Sequence, residues 1–401
     1  MVINIIRGQN QIGGSIVEVA TEKTRIVFDV GVNLDENEIV DVPKIDGLFS
    51  EPKLYDAVFI SHYHSDHIGL LNFVVPEIPI FMGEKSYNIF KSASEYRRKN
   101  ISFNPKFIYD KTTVTIGDIT VTPFLCDHSA FDSHMFLIEA DEKKVLYTGD
   151  FRANGRLNFD KLLSELPKAD ALIIEGTTLT RENNTSNIEE EFLEELAIKE
   201  LQKHKGPAFI MMSAMNIDRL VTAYNSADAT GRIFLEDVYT AEITTSVDSE
   251  IPKPNGKLPA RVFLTVGGDE NYKKLRKFGK AKIGKEQIAK TPFLMCVRSS
   301  MMNYLKRLNE LCSFEDGVLF YGMWKGYMEQ EPTKDFIEFM KSKGVKLHIL
   351  HTSGHADEQS IERLIFEVSP KLIIPVHTEN ANWFDKYTEM NIVKNCKSIT
   401  I

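Results

Sequence analysis

Four candidate metal ligands lie within six residues of the sequence, in the run His62-Tyr63-His64-Ser65-Asp66-His67. The run follows residues 57–61, an apolar segment that predicts a β-strand. Past a strand end the chain can curl and direct alternate side chains toward one point. Imidazole and carboxylate groups suit zinc, iron or manganese. A set of surface polar residues is rarely this dense, so the run predicts the metal site of a hydrolase.

Three further candidate ligands each follow a predicted strand and a turn: His128, Asp150 and His377. Taken singly, each is better interpreted as a hydrogen-bonded core or loop residue. Taken together with the run, they supply enough ligands for two metals. We expect one metal to be held by His62, His64 and His128, and the other by Asp66, His67 and His377, with Asp150 between them. Two ions about 3.5–4 Å apart can hold a hydroxide nucleophile and clamp a phosphoryl oxygen.

Asp29 lies at the end of another predicted strand, in Val27-Phe28-Asp29-Val30-Gly31. A carboxylate there could orient a metal-bound histidine. A turn-forming aspartate is an equally good interpretation.

Composition describes a globular chain of 401 residues with a net charge of −9. No apolar run is long enough to cross a membrane, and the start lacks the features of a secretory signal. The cysteines Cys126, Cys296, Cys312 and Cys396 form no CxxC pair and are expected to be reduced, so we predict a cytoplasmic protein.

The negative charge argues against a nucleic-acid substrate, but it is unevenly distributed. Residues 271–290 carry eight cations and one acid. This basic stretch is either a solvated lysine face or an electrostatic guide for a polyanion beside a catalytic site.

The elements that must position these ligands fall into two groups. Short strands and helices up to residue 187 predict stacked sheets with helices outside, a layered α/β arrangement. From Ile188 a βα series predicts a separate parallel-sheet domain. The long interval between Asp150 and His377 leaves room for such a domain to be inserted.

These motifs resemble the metallo-β-lactamase superfamily and, within it, the β-CASP branch of ribonuclease J-like nucleases. The resemblance rests on His-x-His-x-Asp-His, His128, Thr148-Gly149-Asp150, Glu175-Gly176-Thr177-Thr178, His351-Thr352-Ser353-Gly354-His355-Ala356 and Pro375-Val376-His377-Thr378. It implies an αββα sandwich with an inserted β-CASP α/β cap. The predicted domains are 1–187 and 333–401 for the sandwich and 188–332 for the cap.

The resemblance also implies roles for individual residues. Two divalent metal ions are expected, zinc first and manganese as the alternative. Ser353, Gly354 and His355, with His351, would contact the scissile phosphate of RNA or single-stranded DNA. The catalytic groups would be Asp66, His355 and Glu175, acting with a hydroxide held between the metals.

Two departures from the branch leave alternatives open. The glycine-rich stretch of ribonuclease J late in the cap is replaced by Cys296-Val297-Arg298-Ser299-Ser300. The chain stops shortly after His377, without the C-terminal domain of ribonuclease J, so the oligomeric state is open, a homodimer included. The alternative functions are hydrolysis of a small phosphodiester, lactone or thioester, and nucleic-acid binding without catalysis.

Overall fold

The computed structural model describes residues 1–34, 40–180, 186–247, 251–395 and 398–401. The chain divides into two compact units. The first contains Met1–Lys91, Lys99–Asn187 and Gly354–Ile401, and the second contains Ser92–Arg98 and Ile188–Ser353. Cys126, Cys296 and Cys312 are free thiols, whereas Cys396 lies outside the described residues.

Over the described residues the strands are β1 (Val2–Arg7), β2 (Ile16–Ala20), β3 (Arg25–Phe28), β4 (Ala57–Phe59), β5 (Ile80–Gly83), β6 (Lys106–Ile108), β7 (Val114–Ile116), β8 (Ile119–Cys126), β9 (Ser133–Ala140), β10 (Lys143–Tyr147), β11 (Ala171–Ile174), β12 (Ala208–Met211), β13 (Ile233–Asp237), β14 (Ala260–Phe263), β15 (Phe293–Val297), β16 (Val318–Tyr321), β17 (Lys346–Ile349), β18 (Leu372–Pro375), β19 (Asn391–Ile392) and β20 (Ser398–Thr400).

The α-helices in the same residues are α1 (Ser65–Ile68), α2 (Glu84–Tyr96), α3 (Phe159–Glu165), α4 (Glu190–Lys203), α5 (Ile217–Ala229), α6 (Val238–Ser246), α7 (Asp269–Arg276), α8 (Lys285–Ile288), α9 (Met302–Asn309), α10 (Thr333–Ser342) and α11 (Glu358–Val368). Within the described part of the chain, none of these helices combines the length and the apolar character that a membrane span requires.

The first unit is built from two sheets that pack face to face. Their strand orders are β20-β1-β2-β3-β4-β5-β6 and β19-β18-β11-β10-β9-β8-β7. The side chains alternate between the faces of each strand: Phe28 of β3 packs in the core between the sheets, whereas Val27 faces the outer layer with Ile68 of α1. On the other side, Leu146 of β10 packs against Leu364 of α11. The predicted αββα layering is confirmed.

This arrangement determines where the candidate site residues meet. Strands β10, β11 and β18 are mutually parallel, and β8 runs in the same direction because β9 is antiparallel to both β8 and β10. In the other sheet β3 and β4 are parallel. Carboxyl ends of parallel strands lie at one edge of a sheet, so the segments that follow these strands converge there.

The second unit has one six-stranded parallel sheet, in the order β14-β13-β15-β12-β16-β17. It extends to Ser353, beyond the predicted cap boundary at residue 332. The reason is that β17 completes the sheet by pairing with β16, and Phe336 and Met340 of α10 belong to the core of this unit. Residues 333–353 therefore belong with the second unit and not with the sandwich.

Candidate metal centre

Three histidines form the first part of the candidate metal centre. His62 and His64 lie in the loop between β4 and α1, and His128 follows β8. Nδ1 of His64 is 3.1 Å from Nε2 of His128. The ring centroids of His62 lie 4.8 Å from His64 and 4.6 Å from His128. The three imidazoles predicted to bind one metal are thus brought together.

The second part joins α1 to the end of β18. Oδ2 of Asp66 is 3.0 Å from Nε2 of His377 and 4.0 Å from Nε2 of His67. Asp150, after β10, lies between the two parts: its Oδ2 is 3.2 Å from Nε2 of His67 and 3.8 Å from Nε2 of His62.

Within each group of candidate ligands, the donor atoms are close enough together to bind one shared metal ion. Within each set of three residues, the candidate ligand atoms lie within 4.8 Å of one another. The sets are His62, His64 and His128; Asp66, His67 and His377; and His62, His67 and Asp150. The first two sets match the predicted division between two metals, and the third passes through the bridging aspartate.

Three buried polar atoms support the fit of metal ions to this cluster. Nε2 of His62, Nε2 of His67 and Oδ1 of Asp150 have no hydrogen-bond partner among the described residues. A buried polar atom without a partner is costly, and a cation would supply the missing interaction. The donor set of imidazole and carboxylate is the one that zinc and manganese accept.

Asp29 orients His67 from behind. Its Oδ2 is 2.8 Å from Nδ1 of His67 and accepts hydrogen bonds from the hydroxyls of Ser61 and Tyr147, while its Oδ1 accepts from the Ser61 backbone N–H. The carboxylate is fully buried. Asp29 leaves Nε2 of His67 directed toward Asp150. A carboxylate behind a metal-bound histidine acts in this way, which is the role that the sequence suggested for Asp29.

Thr177 plays the corresponding part for His377, and sequence reasoning missed it. Its hydroxyl is 2.7 Å from Nδ1 of His377, whose Nε2 faces Asp66. The residue stands in the quoted Glu175-Gly176-Thr177-Thr178 motif, so the motif carried a signal for it. Only the pairing of β11 with β18 brings the two segments together.

The backbone is also shaped for this convergence. Asp29 and His377 both adopt positive φ angles, 58° and 50°, which non-glycine residues rarely do. At Gly31 an added Cβ would lie 1.6 Å from the carbonyl oxygen of Asp66. A side chain at position 31 would therefore push α1 and its two candidate ligands out of place.

Burial keeps three of the imidazoles neutral. Burial, followed by the neighbouring histidines, lowers the pKa of His62 and His128 well below the ordinary value. Burial likewise lowers the pKa of His64 to about 4, against the opposing effect of Asp66 and Asp150. A neutral imidazole is the form that binds metal, so these three side chains need lose no proton to become ligands at neutral pH.

His355 has the opposite electrostatics. Burial disfavours its charge, but the carboxylates of Glu175 and Asp150 outweigh that effect and raise its pKa to about 9. Nδ1 of His355 is 3.2 Å from Oε2 of Glu175 and 3.6 Å from Oδ2 of Asp150. Glu175 is itself buried and accepts the backbone N–H of Phe151. His355 is thus held as an imidazolium beside the candidate ligands.

The other residues that were predicted to contact the phosphate fall in different units. Gly354 lies in the first unit, where an added Cβ would come within 2.4 Å of the Ser129 hydroxyl oxygen. Ser353 is the last residue of the second unit, and it is buried. His351 also belongs to that unit, with Nδ1 3.3 Å from the carbonyl oxygen of Gly322.

Two family models match the chain. The β-lactamase superfamily domain matches residues 24–233, which is more than half of the chain. The Zn-dependent metallo-hydrolase RNA specificity domain matches residues 344–393, the stretch that contains His355 and His377. Together the two matches span the candidate ligands of the first unit.

Several curated relatives are similar over long stretches. An RNase J-like protein of Methanocaldococcus jannaschii is 26% identical, covering 93% of this chain and 91% of its own length. Ribonuclease J 1 of Streptococcus pyogenes is 22% identical, covering 93% of this chain and 68% of its own. The cleavage and polyadenylation specificity factor subunit 3 of Dictyostelium discoideum is 27% identical over 44% of this chain and 25% of its own.

A solved structure has the same fold throughout. The crystal structure of a protein of unknown function from Enterococcus faecalis covers 100% of this chain and 99% of its own, with a TM-score of 0.83 and 18% identity. At this identity the likeness concerns the fold alone.

Proposed function

Because the chain belongs to the metallo-β-lactamase superfamily, in its β-CASP branch as the motifs predicted, we propose that it hydrolyses phosphodiester bonds of RNA with two bound zinc ions. The single observation that carries the phosphodiester is the ion pair of His355 with Glu175. It holds the His355 ring beside the candidate ligands, with Nδ1 3.2 Å from Oε2 of Glu175 and 3.6 Å from Oδ2 of Asp150.

The metals are assigned to the residues that the geometry groups. His62, His64 and His128 would hold one ion, Asp66, His67 and His377 the other, and Asp150 would contact both. When bound, the ions would activate water and neutralise charge on the phosphate.

The protein's own residues supply the rest of the chemistry. As an imidazolium, His355 can donate a hydrogen bond to a phosphate oxygen, which gains negative charge in the transition state. Glu175 keeps the ring protonated and in place, at no cost of reorganisation when the charge develops. Asp29 and Thr177 act through His67 and His377, whose ring orientations they maintain. Asp66 would bind metal and take up the proton that the attacking water loses.

A basic groove in the second unit supports a polyanionic substrate. The groove has a volume of about 460 Å³ and is lined by four cations and no acid: Arg261, Lys280, Lys282 and Lys290. None of these four makes an ion pair within the described residues. In a chain of net charge −9, such a surface favours phosphate groups over a small neutral substrate.

Cleavage of end-labelled strands tests the proposal. The purified chain is incubated with Zn²⁺ or Mn²⁺ and with RNA and DNA of one sequence, with and without a 5′ phosphate. We expect cleavage of RNA, and loss of more than about 10³-fold in Asp66→Asn and in His67→Ala. Asp46→Asn, which changes an exposed aspartate of the first unit outside the candidate centre, is the matched control and should cleave normally.

Two outcomes would overturn the proposal. Cleavage that persists in both Asp66→Asn and His67→Ala would place the activity elsewhere. Hydrolysis of nitrophenyl phosphodiesters without any cleavage of oligonucleotides would replace it with a small-substrate hydrolase on the same ligands.

A further inference from the structure

A second group of metal-binding side chains lies in the second unit, apart from the centre described above. Glu200 is in the last turn of α4, His204 directly follows that helix, and His348 is on β17. The candidate ligand atoms of these three residues lie within 4.8 Å of one another. β17 is the terminal strand of the parallel sheet, so the group stands where the sheet edge meets a helix end.

The three side chains converge on one carboxylate oxygen. Oε1 of Glu200 is 3.1 Å from Nε2 of His204 and 3.1 Å from Nε2 of His348. Ligand atoms about 2.0–2.1 Å from a tetrahedral zinc ion are roughly 3.3 Å apart. The separations from Glu200 to the histidines are therefore close to those a zinc ion requires, before any side chain moves.

The surroundings resemble the support that metal ligands receive. Nδ1 of His204, the nitrogen turned away from the cluster, is 3.3 Å from Oδ1 of Asp316. A carboxylate on the far nitrogen of a metal-bound histidine fixes the ring and makes it a better ligand. Lys203 contacts Oε2 of Glu200 at 2.7 Å and leaves Oε1 to the histidines.

We propose that Glu200, His204 and His348 bind one further divalent transition-metal ion, of the zinc class, in the second unit. Two imidazoles and a carboxylate leave a fourth position for water, as in zinc sites with three protein ligands. His348 is 37% exposed, so solvent reaches that side. The ion would link the end of α4 to the edge strand β17 and stabilise the sheet edge. This site does not depend on the proposed nuclease activity.

Without a metal, the same geometry is a set of polar contacts between the two histidines and Glu200. The two states differ in what they bind, because only the metal site takes up an ion at a fixed stoichiometry. Metal content measured on the whole chain separates them.

The experiment compares metal content after stripping with a chelator, reloading with Zn²⁺ and gel filtration. We expect the unmodified chain to retain one zinc per chain more than His348→Ala and Glu200→Gln. Lys203→Ala removes a neighbour of Glu200 that is not a ligand and should keep the full content. In a His67→Ala chain, His348→Ala should still remove one equivalent, whatever has been lost from the first unit.

Two further measurements, cobalt absorption and thermal unfolding, report on the metal geometry and on the stability of the second unit. Co²⁺ reconstitution should give visible absorption that includes a component absent from His348→Ala, and Zn²⁺ should raise the melting temperature of the second unit less in that variant. Equal zinc content and equal cobalt spectra in the unmodified chain and His348→Ala would overturn the proposal. So would an equal loss of zinc in Lys203→Ala.

Discussion

The polar groups of the two units are held in different ways. In the first unit the candidate metal ligands are buried except for the half-buried His64, and the orienting groups Asp29 and Thr177 are buried as well. In the second unit the cluster of Glu200, His204 and His348 is partly exposed, and the basic groove is open. The first unit has fixed its donors before any ligand arrives, whereas the second presents side chains that water can still solvate.

This difference in burial predicts how large the effect of a single substitution should be in each unit. A buried, fully connected polar network leaves unpaired groups behind when one member is removed. An exposed group is replaced by water at little cost. We therefore expect large effects from single substitutions in the first unit and graded effects at the surface of the second.

Among substitutions that leave the proposed metal ligands in place, the largest effect is expected at His355. His355→Asn removes the positive charge that Glu175 and Asp150 hold beside the ligands, and it should lower kcat by about 10²–10³-fold. Zinc content should stay unchanged, because the proposed metal ligands are intact. Single-turnover cleavage of RNA and metal analysis on the same sample measure both. Glu175→Gln, which acts through His355, should cost less. A loss of zinc in His355→Asn would mean that His355 is a ligand instead.

Unlike the exposed polar groups of the second unit, Glu236 is buried, and the next largest expected effect is its contribution to the pH dependence of stability. Burial raises its pKa to about 8, and Thr244 donates to one oxygen while the other has no partner among the described residues. The unfolded chain releases this proton near the ordinary glutamate pKa, whereas the folded chain keeps it to about 8. Stability from this group is therefore complete below the ordinary pKa and is lost progressively as pH rises from there to about 8, on the order of 5 kcal/mol in all.

Glu236→Gln tests this pH dependence, since a glutamine cannot ionise. Trp324 reports on the second unit by fluorescence once Trp383 of the first unit is replaced by phenylalanine. Denaturant unfolding at pH 5 and pH 8 should show a fall in stability for the parent and a much smaller fall for Glu236→Gln. Equal falls would show that Glu236 is ionised in the folded unit.

Asp29→Asn should reduce metal affinity by about 10–100-fold, the usual cost of losing a carboxylate behind a metal-bound histidine. The amide keeps the size of the side chain but cannot accept from Ser61, Tyr147 and His67 together. Competition with a zinc chelator measures the change. Asp46→Asn, an exposed aspartate of the same unit, is the control. An unchanged affinity would remove Asp29 from the metal centre.

The smallest effect is expected at the basic groove. Replacing Lys280, Lys282 and Lys290 with glutamine should weaken RNA binding several-fold and flatten its dependence on salt, because fewer counterions are released. Filter binding at several salt concentrations measures the slope. The matched control removes three exposed lysines elsewhere in the second unit, Lys205, Lys334 and Lys341. If the salt dependence of RNA binding fell equally in both variants, the groove would contribute only through the net charge of the chain.

Most residues of the candidate centre could be predicted because they lie in short sequence motifs. The spacing of His62, His64, Asp66 and His67 indicates a metal site without knowledge of the fold. The positions of His128, Asp150 and His377 after predicted strands and turns made them the further candidate ligands. The family and the αββα layering were predicted in the same way and are confirmed.

The end of the cap was predicted at residue 332, whereas the second compact unit extends to Ser353, and the difference has a physical reason. Strand β17 has only four residues, exposed at both ends and half-buried between them, so its sequence carries little periodic signal. Its membership in the second unit depends on pairing with β16, a contact that local sequence does not encode.

The sequence by itself determined which residue types stand in the strand-end loops of this protein, and hence that metals and a phosphate could meet there. Only the tertiary structure decided which nitrogen of His67 and of His377 faces the centre, because Asp29 and Thr177 contact the other nitrogen from segments that are distant in the chain. It likewise placed His348 beside Glu200 and His204. Ligand identity is local in the chain, whereas ligand orientation is a long-range product of strand register and burial.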